Sequence, residues 1–260
     1  MDTAEQKQVW RWLVDPFWEN FSSTVREAYA TGESQVDIER YHHLRATLFF
    51  AITALEAFLN EQMRHNRKRK NENFQSRRLA NPQLCTKIYE WPKEIVEPNF
   101  VVDSNISGII DYIRKLRGEV VHPKDFDHSL YRELDNLDAN VVPTAVAHYC
   151  VKFFEGLNKP YPYWLLGWNF VGANSDPTWP IPASNDQFLH SLNALGLIDF
   201  DWTHEQFKAF EDRYMKTLVG FQQLDMALQS VSIDIEPRWP EMPTKPRLCR
   251  KWWDKAVIQE

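Results

Sequence analysis

The sequence predicts an all-α protein, and two observations carry the prediction. Apolar residues recur every three or four positions over several long stretches, as they do along the buried face of a helix. The alternating strand and helix patterns typical of α/β enzymes are missing. Glycine is scarce, at 8 residues in 260, and tryptophan is abundant, at 11, which favours a rigid, aromatic-rich core. We expect an N-terminal helical segment (1–36), a helical region (37–157) and an aromatic- and proline-rich, partly helical C-terminal extension (158–260) packed on it.

Composition and cysteine placement favour a protein of the reducing cytoplasm. Cys85, Cys150 and Cys249 lie far apart with no CxxC pair, which argues against a disulfide framework and a cysteine-rich zinc site. The start of the chain is polar and carries acidic residues, unlike a secretory signal. No apolar run approaches the ~20 residues of a membrane span, so we expect no membrane contact. A net charge of −6 excludes binding of nucleic acid by the whole surface, so any such contact is local.

The first two helices are predicted over 4–30 and 37–65. We expect the first to be interrupted near Asp15-Pro16 and to stop at Thr31-Gly32. The second is the strongest helix in the chain, because apolar residues recur at helical spacing without a glycine or proline. Three polar residues lie among its apolar positions and either face solvent or orient a cation from another helix: Glu56, Asn60 and Glu61.

A basic segment follows the long helix. Between residues 64 and 78 the chain carries seven cations and one acid, Glu72, a balance of +6. The cations are Arg64, Arg67, Lys68, Arg69, Lys70, Arg77 and Arg78. We expect 66–82 to be a loop or a frayed helix end, in which the cations either complement the helix dipole or bind phosphate groups. Both interpretations stay open, since charge runs are commonly only solvated.

The next long helix is predicted over 104–121, after a capping residue that is Asp103 or Ser104. Its buried face consists of apolar residues at helical spacing: Ile106, Ile109, Ile110, Ile113, Leu116 and Val120. Gly108 on this helix permits the close approach of a neighbouring element.

The helices on either side of it contain prolines. Residues 83–98 are predicted to form a short helix that ends in a proline-flanked turn. Residues 126–157 read as one helix that Pro143 kinks or breaks. His148 and Cys150 fall near its apolar side, and we interpret both as packing residues.

The C-terminal extension begins with ordered aromatic and proline-rich segments. Two helices are predicted after them, over 185–196 and 203–230, the second beginning near Thr203. The tail then carries a proline at every third position from 237 to 246, which is the polyproline II repeat. It either wraps its own domain or serves as a partner-docking arm or base-stacking patch.

No common cofactor or metal motif occurs in the chain. It lacks the GxxxxGK[ST] and GxGxxG phosphate loops, the HExxH and GxSxG motifs and any His/Cys pair at metal-ligand spacing. The chemistry therefore rests on Arg117, His122 and their neighbours, and we expect neither a cofactor nor a metal. On an unbroken helix the two side chains would point about 140° apart. Because Pro123 disfavours helical backbone at His122, the helix ends there and both side chains can face one site.

Two segments of the helical region resemble the HEPN superfamily of nucleotide-binding helical domains. They are Leu55-Glu56-Ala57-Phe58-Leu59-Asn60-Glu61 on the long helix and Leu116-Arg117-Gly118-Glu119-Val120-Val121-His122-Pro123 at the end of the later one. The resemblance covers about residues 37–157 and implies a HEPN-like helical bundle there. It further implies a metal-independent endoribonuclease, a toxin or antiviral-defence effector, with Arg117 and His122 as catalytic residues. Members commonly dimerise through the bundle, so we expect RNA, a second copy of the chain and an antitoxin or regulatory protein as partners.

Gly118 departs from the family pattern, in which Asn, Asp or His often follows the arginine. The alternative is therefore a catalytically inactive HEPN-like module that binds RNA, a nucleotide or a protein. Arg117 either serves catalysis or pairs with Glu61 or Glu119 and caps the helix end. RNA phosphates are expected to contact cations on three segments: Arg64, Arg67, Lys68, Arg69, Lys70, Arg114 and Lys124.

Overall fold

Helices supply all the regular secondary structure in the residues that the computed structural model describes, which are 15–70, 82–121, 129–167, 182 and 184–230. The predicted all-α class is therefore confirmed. In chain order the helices are α1 (Pro16–Glu33), α2 (Asp37–Arg69), α3 (Leu84–Tyr89), α4 (Trp91–Ile95), α5 (Ser104–Val121), α6 (Ser129–Asn136), α7 (Val141–Gly156), α8 (Asn185–Ala194), α9 (His204–Tyr214) and α10 (Leu218–Gln229). A 3-10 turn, Tyr163–Leu166, lies between α7 and α8.

Helix α1 begins where the sequence predicted an interruption. Asp15 caps it, because its carboxylate accepts a hydrogen bond of 3.0 Å from the backbone N–H of Trp18, and Pro16 occupies the first helical position. The helix continues to Glu33, so Thr31-Gly32 does not end it as predicted. It packs against α2, and a connection of only three residues joins the two helices.

Helix α2 is longer than predicted and forms the axis on which five of the described helices pack. It runs through Arg69, so residues 66–69 form its last turn and not a loop or frayed end. Lysine and arginine are good helix formers, and near the C-terminus their charge complements the helix dipole. Contacts with α1, α3, α4, α5 and α7 surround α2.

An aromatic cluster joins the N-terminal and C-terminal parts of the chain. The ring of Phe58 on α2 lies 4.9 Å from Phe17 on α1 and 5.2 Å from Phe153 on α7, between ring centroids. Trp164 in the 3-10 turn lies 4.7 Å from Phe17. Edge-to-face and tilted ring pairs of this kind add about 0.5–1.5 kcal/mol each beyond their buried area. One continuous hydrophobic core therefore includes residues from α1 and from the predicted extension.

Two short helices replace the single one predicted within 83–98. Pro92 lies in the first turn of α4, where its missing N–H has no helical acceptor to lose. In α3, Lys87 is completely buried and its ammonium donates to the carboxylate of Glu56 on α2. Its Nζ also lies 5.5 Å from the centre of the Trp91 ring. Of the two alternatives for Glu56, the structure confirms that it orients a cation from another helix.

Helix α5 matches its predicted bounds. Asp103 is the cap, since its Oδ1 accepts from the backbone N–H of Asn105 at 2.8 Å. Four of the predicted core residues are buried: Ile106, Ile110, Ile113 and Leu116. The prediction for Gly108 is wrong, because no described atom lies within 4 Å of the position that a β carbon would occupy there.

The stretch predicted as one helix over 126–157 is divided into α6 and α7 at residues 137–140. Pro143 does not cause a kink, because it lies in the first turn of α7. His148 is half-buried with its ring 5.5 Å from Phe221, and Cys150 is fully buried, so both are packing residues as predicted.

The stretch predicted as one helix over 203–230 is also divided, into α9 and α10. Thr203 starts α9 as predicted, by exchanging hydrogen bonds with Gln206 in a capping box. Where α10 crosses the end of α9, a β carbon at Gly220 would lie 2.8 Å from Cα of Tyr214. The chain therefore turns between the two helices at a contact that only glycine permits. The proline-repeat tail lies outside the described residues, and both of its interpretations stay predictions.

Candidate functional site

The candidate site lies at the C-terminal end of α5, where this helix runs against α2. Burial of Ile113 and Leu116 leaves Arg117 half-buried at the rim of the contact. The guanidinium Cζ of Arg117 lies 5.6 Å from the centre of the Phe49 ring on α2. A cation in this position is attracted by the electron-rich face of the ring. Phe49 is 43% exposed, so the pair lies at the protein surface.

Arg117 takes part in neither of the ion pairs considered from the sequence. Among the described residues no carboxylate lies within salt-bridge distance of its guanidinium, and its Nε is buried without a hydrogen-bond acceptor. Glu61 is placed elsewhere on α2: burial, and next the nearby charge of Asp15 at the start of α1, raise the pKa of its carboxyl. A buried N–H without a partner costs about 1–3 kcal/mol. The two Nη groups of Arg117, unlike the buried Nε, are not among the buried unsatisfied atoms, and no carboxylate of the described residues pairs with them.

Arg114, one turn earlier on α5, is held by a neighbour on its own helix. Its Nε donates to Oδ1 of Asp111 at 3.3 Å, and the other oxygen of Asp111 accepts from the hydroxyl of Tyr89 at 2.6 Å. Burial, and then the hydrogen bond to Asp111, raise the pKa of the Tyr89 hydroxyl to about 12. Tyr89 is therefore a permanent donor at neutral pH, and Asp111 offsets part of the positive charge of Arg114.

Gly118 is not required by packing. A β carbon at this position would meet no described atom within 4 Å, and the backbone there is helical. Glycine in a helix interior is about 0.8–1.0 kcal/mol less favourable than alanine. We find no contact that explains its presence beside Arg117.

His122 and Lys124 lie outside the described residues, so the predicted approach of His122 to Arg117 stays a prediction. The last described residue of α5 is Val121, 41% exposed, which leaves the helix end at the surface.

The basic segment at the end of α2 is only partly available for an anion. Arg64 and Lys68 are exposed, whereas Arg67 approaches Glu94 on α4 at 2.6 Å and Lys70 approaches the same carboxylate at 3.9 Å. Arg69 donates to the side chain of Asn66 at 3.0 Å. Arg77 and Arg78 lie outside the described residues. Glu94 thus offsets part of the positive charge of Arg67 and Lys70, which we predicted from the sequence to contact RNA.

Sequence reasoning missed the aromatic partners of the arginines. Phe49 does not share the helical spacing of the buried residues Leu44 and Leu48 on α2. A phenylalanine off the buried face of a helix was the sequence signal that could have indicated a surface contact. On the same helix, Arg45 lies with its Cζ 5.7 Å from the ring centre of Tyr131 on α6, and its Nη2 donates to the Tyr131 hydroxyl at 3.3 Å.

In the ranges that the structure describes, no three His, Cys, Asp or Glu side chains are grouped to hold a metal ion. The helices within those same ranges include none that is long and apolar enough to cross a membrane. Comparisons of the chain with protein-family models, with curated proteins and with solved structures found no match.

Proposed function

We propose that this chain is a metal-independent endoribonuclease of HEPN type, in which Arg117 and His122 cleave RNA. One observation carries the proposal: Arg117 lies at the surface end of α5 over an exposed ring, with no carboxylate partner among the described residues. A structural arginine of the kind considered above would pair with Glu61 or Glu119. The HEPN-like motif from Leu116 to Pro123 assigns the second catalytic group to His122.

The chemistry follows from the residue types. RNA carries its own nucleophile, the 2′-hydroxyl, and a histidine that titrates near neutrality can accept its proton. The 2′-oxygen forms a bond to phosphorus while the bond from phosphorus to the 5′-oxygen breaks, and that oxygen takes up a proton. The products are a 2′,3′-cyclic phosphate and a 5′-hydroxyl.

Arg117 would act on the phosphate. Its guanidinium is permanently charged and can donate to two phosphoryl oxygens at once. It would stabilise the additional negative charge of the pentacoordinate transition state. In a homodimer formed through the bundle, one His122 would act as the base and the other as the acid. A toxin or antiviral-defence role would require restraint by an antitoxin or another regulatory protein.

The test is cleavage of end-labelled RNA by the purified full-length chain in EDTA. We expect cleavage that survives EDTA, yields 2′,3′-cyclic phosphate ends and disappears in His122→Ala and Arg117→Ala. Arg117→Lys keeps the charge but loses the planar pair of donors, and we expect most activity to be lost. Arg213→Ala, which removes an exposed arginine on α9, is the matched control. Cleavage that persists in His122→Ala, or that requires a divalent metal, contradicts the proposal.

A catalytically inactive HEPN-like module is the second candidate, and Gly118 favours it. A β carbon at this position would meet no described atom within 4 Å, yet the position holds glycine where Asn, Asp or His is frequent in the family. This candidate predicts RNA binding that weakens steeply with salt and produces no new RNA ends.

A further inference from the structure

Four side chains form a surface strip in which arginines and aromatic rings alternate: Arg117, Phe49, Arg45 and Tyr131. The Cζ of Arg117 lies 5.6 Å from the ring centre of Phe49, and the Cζ of Arg45 lies 5.7 Å from that of Tyr131, whose hydroxyl accepts a hydrogen bond from Arg45. Arg45 and Phe49 are four residues apart on α2 and therefore share one face of that helix. The arginine–aromatic strip thus includes one residue of α5, two of α2 and one of α6.

Both rings of the strip are accessible from solvent. Phe49 is 43% exposed and Tyr131 is 39% exposed, which is unusual for rings that lie between packed helices. Phe49 is supported from one side by Phe50, at 5.6 Å and nearly perpendicular. Tyr131 is supported by Tyr41, at 5.1 Å and also edge-on. Each ring is therefore held in place while part of its surface stays open.

The two arginines of the strip differ from other arginines of the protein in their ion pairing. Within the described part of the chain, no carboxylate forms an ion pair with Arg45 or Arg117. The contrast is with Arg40, whose guanidinium pairs with Asp135 at 3.0 Å, and with Arg67, which pairs with Glu94. Asp135 also accepts from the hydroxyl of Tyr41, whose ring packs against Tyr131.

We infer that the arginine–aromatic strip binds single-stranded RNA, with bases stacked on Phe49 and Tyr131 and phosphates contacting Arg45 and Arg117. Stacking needs only a π face, which every base has, and arginines beside the rings supply the complementary charge. The inference rests on the proposed function, because it names the class of RNA that would reach Arg117. It also moves the main binding surface away from the partly neutralised segment 64–70.

Two features favour this ligand over others. The bases of an RNA duplex are stacked on one another, so their faces are not available to protein rings. A single strand also carries a phosphate for each base, so its negative charges can lie beside the arginines while its bases lie on the rings. A single strand therefore supplies base faces for the exposed rings and phosphates for the two arginines, which form no ion pair among the described residues.

The experiment uses the full-length chain and a fluorescent single-stranded 2′-O-methyl oligonucleotide, whose blocked 2′-oxygen prevents cleavage. We expect Phe49→Ala and Tyr131→Ala each to weaken binding by about tenfold. Phe49→Trp restores a ring and should retain binding, which separates stacking from misfolding. Tyr29→Ala removes a ring of similar exposure on α1 and should bind as the unaltered protein does. Arg45→Gln should lower the salt dependence by about one phosphate contact.

Binding and cleavage fail separately in this design. RNA cleavage without any loss of oligonucleotide binding in Phe49→Ala and Tyr131→Ala overturns the strip and leaves the nuclease. Ring-dependent oligonucleotide binding without RNA cleavage supports the strip and removes the nuclease. Equal affinity for the single strand and its duplex overturns the inference, as does binding of neither.

Discussion

The ammonium of Lys87, on a side chain with no solvent exposure, donates a hydrogen bond to the Glu56 carboxylate of the neighbouring helix α2. Glu56 itself is 42% exposed, so water screens part of the pair. A fully buried cation depends on its counterion, because only the attraction between the two charges offsets the free-energy cost of removing the cation from water. This contact connects the short helix α3 to the axis of the bundle.

Removing the charge of Glu56 alone should therefore destabilise the protein more than removing the charges of Glu56 and Lys87 together. We expect Glu56→Gln to lower the free energy of unfolding by about 1–3 kcal/mol, since the buried ammonium loses its partner. Lys87→Met keeps the length of the side chain without its charge and should stay within about 1 kcal/mol of the unaltered protein. Urea denaturation of both single variants and the double variant measures the difference. A double variant less stable than Glu56→Gln alone would contradict this account.

Gly118→Ala should stabilise the protein by up to about 1 kcal/mol, because alanine is the better helix former and its methyl group has space. Gly108→Ala on the same helix is the matched control and should behave alike. Gly220→Ala should do the opposite, since its methyl group would press on the backbone of Tyr214. Thermal unfolding of the three variants gives the signs. A loss of stability in Gly118→Ala alone would show that position 118 has a packing partner.

The burial of His148 should make the stability of the protein sensitive to mild acid. Burial lowers the pKa of the His148 imidazole, although the charge of Asp225 acts in the opposite direction. The folded protein therefore binds the proton more weakly than the unfolded chain, and stability falls as the pH drops below the ordinary histidine value of 6.5. We expect His148→Gln to show a flatter dependence of unfolding free energy on pH between 7.5 and about 5.5.

The matched control for His148 is His190→Gln, which removes an exposed histidine on α8. It should leave the pH dependence of stability as it is in the unaltered protein. An identical slope in the protein and in His148→Gln would mean that the imidazole is not desolvated.

Glu94→Gln tests whether the basic end of α2 binds phosphate. The change releases Arg67 and Lys70 from their shared carboxylate and raises the local charge by one. If these cations contact RNA, affinity for a single strand should rise several-fold and the salt slope should steepen by about one contact. Glu90→Gln, which removes the partner of Lys93 and also raises the charge by one, is the control. No gain in Glu94→Gln would leave the cations with a purely structural role at the helix end.

Local sequence determined the helical class and the positions of α2 and α5. Their apolar residues recur at helical spacing. Asp103 caps α5 by accepting from backbone N–H groups at most three residues further along the chain, so the start of this helix depends on no distant contact. Where helices end inside an apolar stretch, the sequence was insufficient. At 137–140 and after Tyr214 the apolar spacing continues on both sides of the break, so the pattern does not reveal it. Helix crossings such as the one at Gly220 decide where the chain turns.

The motif around Arg117 was visible in the sequence, but its surroundings were not. Whether an arginine pairs with an acid or lies over a ring depends on which helix is adjacent, and Phe49 and Arg117 are brought together only by the packing of α5 on α2. The same holds for Lys87 and Glu56, which are 31 residues apart in the chain. Helix formation is a local property of the residues, whereas charge pairing and ring exposure arise from contacts between helices, so only the tertiary structure decided them.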